Sequence, residues 1–118
     1  MEDLIQKAED LGRLLAVHPR FAALMAARDA VRNNETSRKL MTDYETHVQR
    51  IEDLTLANKP IEVEDKHKLA ELEKVVAADE QIKALTKAQM EFSELLNRVN
   101  RAIFGKIAPR SEPRGDGN

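Results

Sequence analysis

The chain reads as an all-α protein: a five-helix antiparallel bundle with long third and last helices. Three observations predict this class. Between Asp79 and Ile107 the residues Ile82, Leu85, Gln89, Phe92, Leu96, Val99 and Ile103 recur at alternating steps of three and four, with Ala88, Leu95 and Ala102 in a second row. That is the stripe of an amphipathic helix, close to a coiled-coil seam. Turn and cap residues (His18-Pro19, Asn33-Asn34, Asn58-Lys59-Pro60 and Asp79) divide the remainder into helix-length pieces. No segment alternates polar and apolar residues over a useful strand length.

The first helix is expected from Glu2 to Val17, with Leu4, Ala8, Leu11 and Leu15 on one face and Ile5 beside them. Glu2 and Asp3 stand at its start, where the helix dipole favours acid. Pro19 disfavours helical geometry at His18 and itself suits the first turn of a new helix. The second helix then runs to about Arg32, with Phe21, Leu24, Met25, Ala27 and Val31 as its apolar side. Asn33-Asn34 read as a turn, because Asn tolerates left-handed geometry and caps a following helix. The third helix is expected from Glu35 to about Ala57. Leu40, Tyr44, Ile51 and Leu54 share its face, with Met41 and Val48 adjacent. Asn58 is a C-terminal cap and Pro60 forbids continuation. The fourth helix, from about Glu62 to Val76, carries Leu69, Leu72, Val75 and Val76, and Asp79 caps the last helix. The third and last helices, joined through a single helical crossover, are expected to run antiparallel. Residues 1–107 form one helical domain. The tail from Ala108 onwards, rich in Pro and Gly, is expected to be disordered.

Composition narrows the function classes. Aromatic residues make up 3% of the 118, so the core must be built from Leu, Val, Ile, Met and Ala, and large aromatic clefts are not expected. Charged residues are 34%, with signs mixed and a formal net charge of −2, which gives no global field for nucleic acid. Cys is absent, excluding disulfides and thiolate metal or iron–sulfur ligation. Met1-Glu2-Asp3-Leu4 carries acid where a signal peptide carries base, and no apolar run approaches the ~20 residues of a membrane span. The expected location is the cytoplasm, without membrane insertion.

Chemistry-bearing patterns are sparse. Glu64-Asp65-Lys66-His67 holds a Glu-x-x-His, half of the di-iron carboxylate pattern of helical bundles. The other half is missing: the last helix has no His, and Tyr44 stands three residues before His47. Asp43 with His47, and His67 with Glu71, are one turn apart and read as surface pairs without a nucleophile or pocket. No metal, cofactor or catalytic residue is assigned. Arg98, Arg101, Lys106 and Arg110 gather at the C-terminal end. Only Phe104 lies nearby to stack a base, and cations there also offset the helix dipole, so direct nucleic-acid binding is not expected. Gln89 within the apolar stripe either fixes register at a seam or sits at its solvated edge.

The last helix is the candidate interaction surface: Leu85, Gln89, Phe92, Leu95, Leu96, Val99 and Ile103. At 1.5 Å per residue it is roughly 40 Å long, whereas a compact chain of this size is only about 35 Å across. Its apolar face therefore outruns the protein available to cover it, and a homodimer with this helix in the contact is expected. The protein partners beyond that are not identified by the sequence.

Ala88-Gln89-Met90-Glu91-Phe92-Ser93-Glu94-Leu95-Leu96-Asn97-Arg98-Val99-Asn100 resembles the last-helix signature of the YlbF/YmcA family of small bacterial helical proteins. There an Ala-Gln pair precedes an acidic residue, apolar positions and a Val/Ile-Asn ending. Ala8 and Leu11 resemble the opening helix of that family, and Phe21, Leu24 and Ala27 its second helix; the similarity covers roughly residues 4–104. The resemblance implies an all-α, usually dimeric, non-enzymatic cytoplasmic protein, with the best-known members acting as accessory factors of RNA processing linked to RNase Y. Iron–sulfur binding ascribed to some members does not transfer to a chain without Cys. A competing reading from the same exposed stripe is a small helical chaperone or secretion-type cochaperone shielding an apolar client segment.

Overall fold

The computed structural model describes residues 1–108. Five helices follow in order: α1 (Glu2–Ala16), α2 (Pro19–Asn33), α3 (Glu35–Leu56), α4 (Val63–Ala78) and α5 (Glu80–Ile107). Of the tail expected to be disordered from Ala108 onwards, residues 109–118 lie outside the described residues.

Local chemistry sets each boundary. Pro19 occupies the first position of α2, and His18 caps it, its Nδ1 accepting from the Arg20 N–H at 3.0 Å. Asn34 Oδ1 accepts from the Ser37 N–H at 2.9 Å and caps α3. At the far end of α3, Asn58 adopts φ 61°, the left-handed geometry that Asn tolerates. The Lys59 N–H reaches back to Leu54 O at 2.9 Å and the Asn58 N–H to Thr55 O at 3.1 Å. These two bonds form a Schellman cap that satisfies carbonyls the helix leaves open. Asp79 Oδ1 accepts from the Ile82 N–H at 2.9 Å and caps α5.

Two helix pairs make the body. α2 lies against α5, and α3 against α4. Arg20 at the start of α2 donates to the Glu91 carbonyl at 2.9 Å and to Glu94 Oε1 at 3.0 Å, while the α2–α3 corner meets the start of α5 through Ser37 and Asp79. α2 and α5 are therefore antiparallel. The core is their seam: Leu24, Ala27 and Val31 against Ile82, Leu85 and Ala88, with Phe92, Met25, Leu40, Met41 and Val76 packed around it. Phe21 and Phe92 extend it with ring centroids 5.5 Å apart, tilted by 51°.

The expected pairing of the two long helices is corrected. α3 and α5 start from one corner, where the Ser37 hydroxyl donates to both Asp79 oxygens at 2.8 and 2.9 Å, and they touch only briefly. The antiparallel partner of α3 is α4, because His47 and Arg50 of α3 meet Asp65 near the start of α4. An amphipathic stripe shows that a helix needs a partner and not which one. Among the described helices α1 touches α2 alone, and it has no buried residue. The molecule is extended accordingly, with a radius of gyration of 20.3 Å, against about 13.5 Å for a compact chain of this length.

Candidate interaction surface

The α5 stripe divides along its length. Leu85 is buried against α2, and Phe92 is half-buried against Phe21. Leu95, Leu96 and Val99 are half-buried, and Ile103 is exposed. Gln89 is exposed and lies off the buried line, which runs Ile82, Leu85, Ala88. A straight helix turns 100° per residue, so steps of three from Ile82 bring Ala88 to the seam and put Gln89 at its edge. Beyond Val99 the face continues without cover, with Phe104 62% and Ile107 65% exposed.

A second surface opens where α3, α4 and α5 diverge. It is a groove of about 680 Å³, lined by Met41, Tyr44, Val76 and Met90 together with Lys83 and Lys87. It fills the space that a direct α3–α5 contact would have closed. Most of its surface is apolar, and Glu73, Thr86 and Glu91 also border it. Among the described residues, no three His, Cys, Asp or Glu side chains gather to hold a metal ion.

The His47 neighbourhood differs from its sequence reading. His47 is buried, and its Nε2–H donates to the Asp65 carbonyl at 2.8 Å. It does not form the expected surface pair with Asp43, whose carboxylate faces Lys39 at 3.7 Å. Arg50 Nε donates to Asp65 Oδ1 at 3.1 Å. That hydrogen bond holds the Asp65 carboxyl below its usual range, against the opposing effect of burial, and the guanidinium charge, the Glu62 amide and His47 lower it further. Together these contacts brace α3 to α4, while Asp65 Oδ2 is buried without a hydrogen-bond partner and a small pocket opens beside His47, Arg50 and Lys68. His67 is exposed, so Glu64-x-x-His67 faces solvent. The burial of His47 and Ser37 had no sequence signal, since both lie on polar stretches of α3.

Arg98, Arg101 and Lys106 are exposed on the distal part of α5, and Arg110 lies outside the described residues. No described helix is long and apolar enough to cross a membrane.

Comparison with known proteins agrees with this architecture. A UPF0342 protein of Desulfitobacterium hafniense is 24% identical over 115 residues, covering 98% of this chain and 86% of the relative. A UPF0342 protein of Streptococcus pyogenes is 18% identical over 106 residues, covering 90% of this chain and 94% of that protein. A solved structure from Bacillus stearothermophilus, described as a protein of unknown function (DUF964), superposes with a TM-score of 0.74 at 15% identity, covering 98% and 99% of the two chains. At that identity the likeness shows the five-helix fold alone. Residues 4–108 match the profile described as "Control of competence regulator ComK, YlbF/YmcA". With that match spanning nearly the whole chain, the protein belongs to the YlbF/YmcA family of regulatory proteins.

Proposed function

We propose that this protein is a non-enzymatic regulatory factor of the bacterial cytoplasm that works by holding other proteins, acts as a homodimer, and serves as an accessory to RNA processing linked to RNase Y. The observation that carries the reading is the apolar surface that well-formed helices leave open: the groove beside Met41, Tyr44 and Met90, and the distal face of α5. Large open apolar faces on a soluble scaffold are binding surfaces. The family description supports a regulatory role, and the RNase Y link rests on the resemblance of the last helix to that family, whose best-known members act in RNA processing.

The test is capture of tagged full-length protein from its native cell, with mass spectrometry and a Met41→Glu, Met90→Glu control that charges the groove. Enrichment of RNase Y or its associated proteins by wild type, and its loss in the control, supports the reading. Recovery of unfolded or export-bound chains instead would favour a cochaperone and reject the RNA-processing role.

A further inference from the structure

α1 and the distal part of α5 form a fork that the other described residues do not fill. α2 begins beside Glu91 and Glu94 of α5, so the corner at His18-Pro19 launches α1 from the place where α5 leaves the body. No Cα of α1 comes within 8 Å of α5, α3 or α4. The two prongs match in length: α1 spans about 22 Å and Leu95–Ile107 about 20 Å. Each carries an apolar face. On α1 it is Leu4, Ile5, Ala8, Leu11 and Leu15, with Leu4 69% exposed; on α5 it is the unbroken extension of the core seam.

Three further facts fix what covers them. A helix of 15 residues with Gly12 inside and no buried side chain is marginal by itself, because isolated helices of about that length barely form in water. The charges are complementary. α1 carries Glu2, Asp3, Glu9 and Asp10 against Lys7 and Arg13, whereas Leu95–Ile107 carries Arg98, Arg101 and Lys106 and no acid. The areas also match. The chain exposes 9145 Å², about 2,600 Å² more than a compact protein of its mass would. Granting residues 109–118 the full area of an unfolded chain still leaves about 1,400 Å² of excess, more than the roughly 800 Å² per partner of a standard interface.

We propose that two copies of this chain interlock through their forks, α1 of each copy packing along Leu95–Ile107 of the other in a shared four-helix bundle. This deepens the homodimer reading above and rests on it. One fork has two helices and cannot enclose a core; two related by a two-fold axis supply the four that a bundle needs. The acidic flanks of α1 then lie beside the basic flanks of the partner's α5, which gives Arg98, Arg101 and Lys106 a role that needs no nucleic acid.

The absence of Cys makes the test clean. Single cysteines are placed at Leu4, Ala8 or Leu11 in one preparation and at Val99, Ile103 or Ile107 in another, and the preparations are mixed and oxidised. A disulfide needs Cα atoms about 4.4–6.8 Å apart, closer than α1 approaches α5 within one chain. At least one mixed pairing should give a dimer in high yield, exceeding every self-pairing. Light scattering should give twice the chain mass for wild type and the monomer mass for Leu4→Glu with Ile107→Glu, which keeps its helical circular dichroism because both positions are exposed in the single chain. A dimer that survives the double variant and yields no mixed disulfide overturns the fork geometry and leaves the homodimer standing. A wild-type monomer at micromolar concentration overturns both, while leaving the regulatory reading to its own capture experiment.

Discussion

Removing the Asp79 carboxylate should destabilise the protein more than a surface helix cap ordinarily does. Asp79 accepts from the Ile82 N–H and from the Ser37 hydroxyl, joining the starts of α5 and α3. Loss of an N-cap costs about 1 kcal/mol. Asp79→Ala also strands the Ser37 hydroxyl, which is 1% exposed and cannot turn to water. An orphaned buried hydroxyl costs a further ~1–3 kcal/mol. The expected total is about 2–4 kcal/mol. Asp79→Asn keeps an acceptor at both places and should cost less than about 1 kcal/mol. Ser37→Ala alone should cost about 1 kcal/mol, and the double variant should be milder than the sum, with a coupling of about 1–2 kcal/mol. The assay is urea unfolding at one fixed protein concentration, because assembly would make the midpoint concentration-dependent. Asp79→Ala within 0.5 kcal/mol or so of wild type, the scale of ordinary surface changes, or strict additivity with Ser37→Ala, would refute the clasp.

Phe92→Ala removes a half-buried ring stacked obliquely on Phe21 and should cost about 2–3 kcal/mol, below the range for a fully buried Phe; an unchanged melting temperature would show that the ring pair contributes nothing. Asp65 has a lowered folded-state pKa, so its contribution to stability is whole above its ordinary value of 3.8 and is lost as pH falls through the folded value. Acid unfolding followed by circular dichroism should therefore lose part of its steepness below that pH in Arg50→Ala, and identical acid limbs would contradict the assigned cause. Asn58→Ala places a Cβ-restricted residue at φ 61° and should cost about 1–2 kcal/mol, while Asn58→Gly should be neutral or stabilising. Gly105→Ala meets nothing within 4 Å and should stabilise α5 by about 0.5–1 kcal/mol in thermal melts, with a loss of stability counting against the open setting of that position.

The sequence disclosed the helices far better than their arrangement. Asn34, Asn58 and Asp79 act on backbone groups within a few residues of themselves, so their capping roles can be read locally and match the observed ends. His18 acts just as locally, but His is not among the usual capping residues, and Pro19 is the stronger signal at that boundary. Pairing is a different matter. Ile82, Leu85 and Ala88 announce a buried face, but nothing local says that α2 rather than α3 covers it. The polar groups of α3 show the same limit: Ser37 and His47 are buried by partners 42 and 18 residues away, and on their own helix they read as surface. The candidate stripe was legible as apolar along its whole length. Its division into a covered half and an open half depends on where α2 starts, which is a tertiary fact fixed by the Arg20 contacts to Glu91 and Glu94.

The central claim is that the open faces of α1 and distal α5 are covered by a second copy of the chain. Hydrogen exchange of wild-type protein over a range of concentrations tests it most directly, because an uncovered helix of that length exchanges rapidly and a packed one does not. The account predicts protection of residues 2–16 and 95–107 that rises together with concentration and vanishes in Leu4→Glu with Ile107→Glu, while the α2–α5 seam stays protected throughout. Protection of α1 that is absent at every concentration, or present and indifferent to both concentration and the double variant, would contradict it.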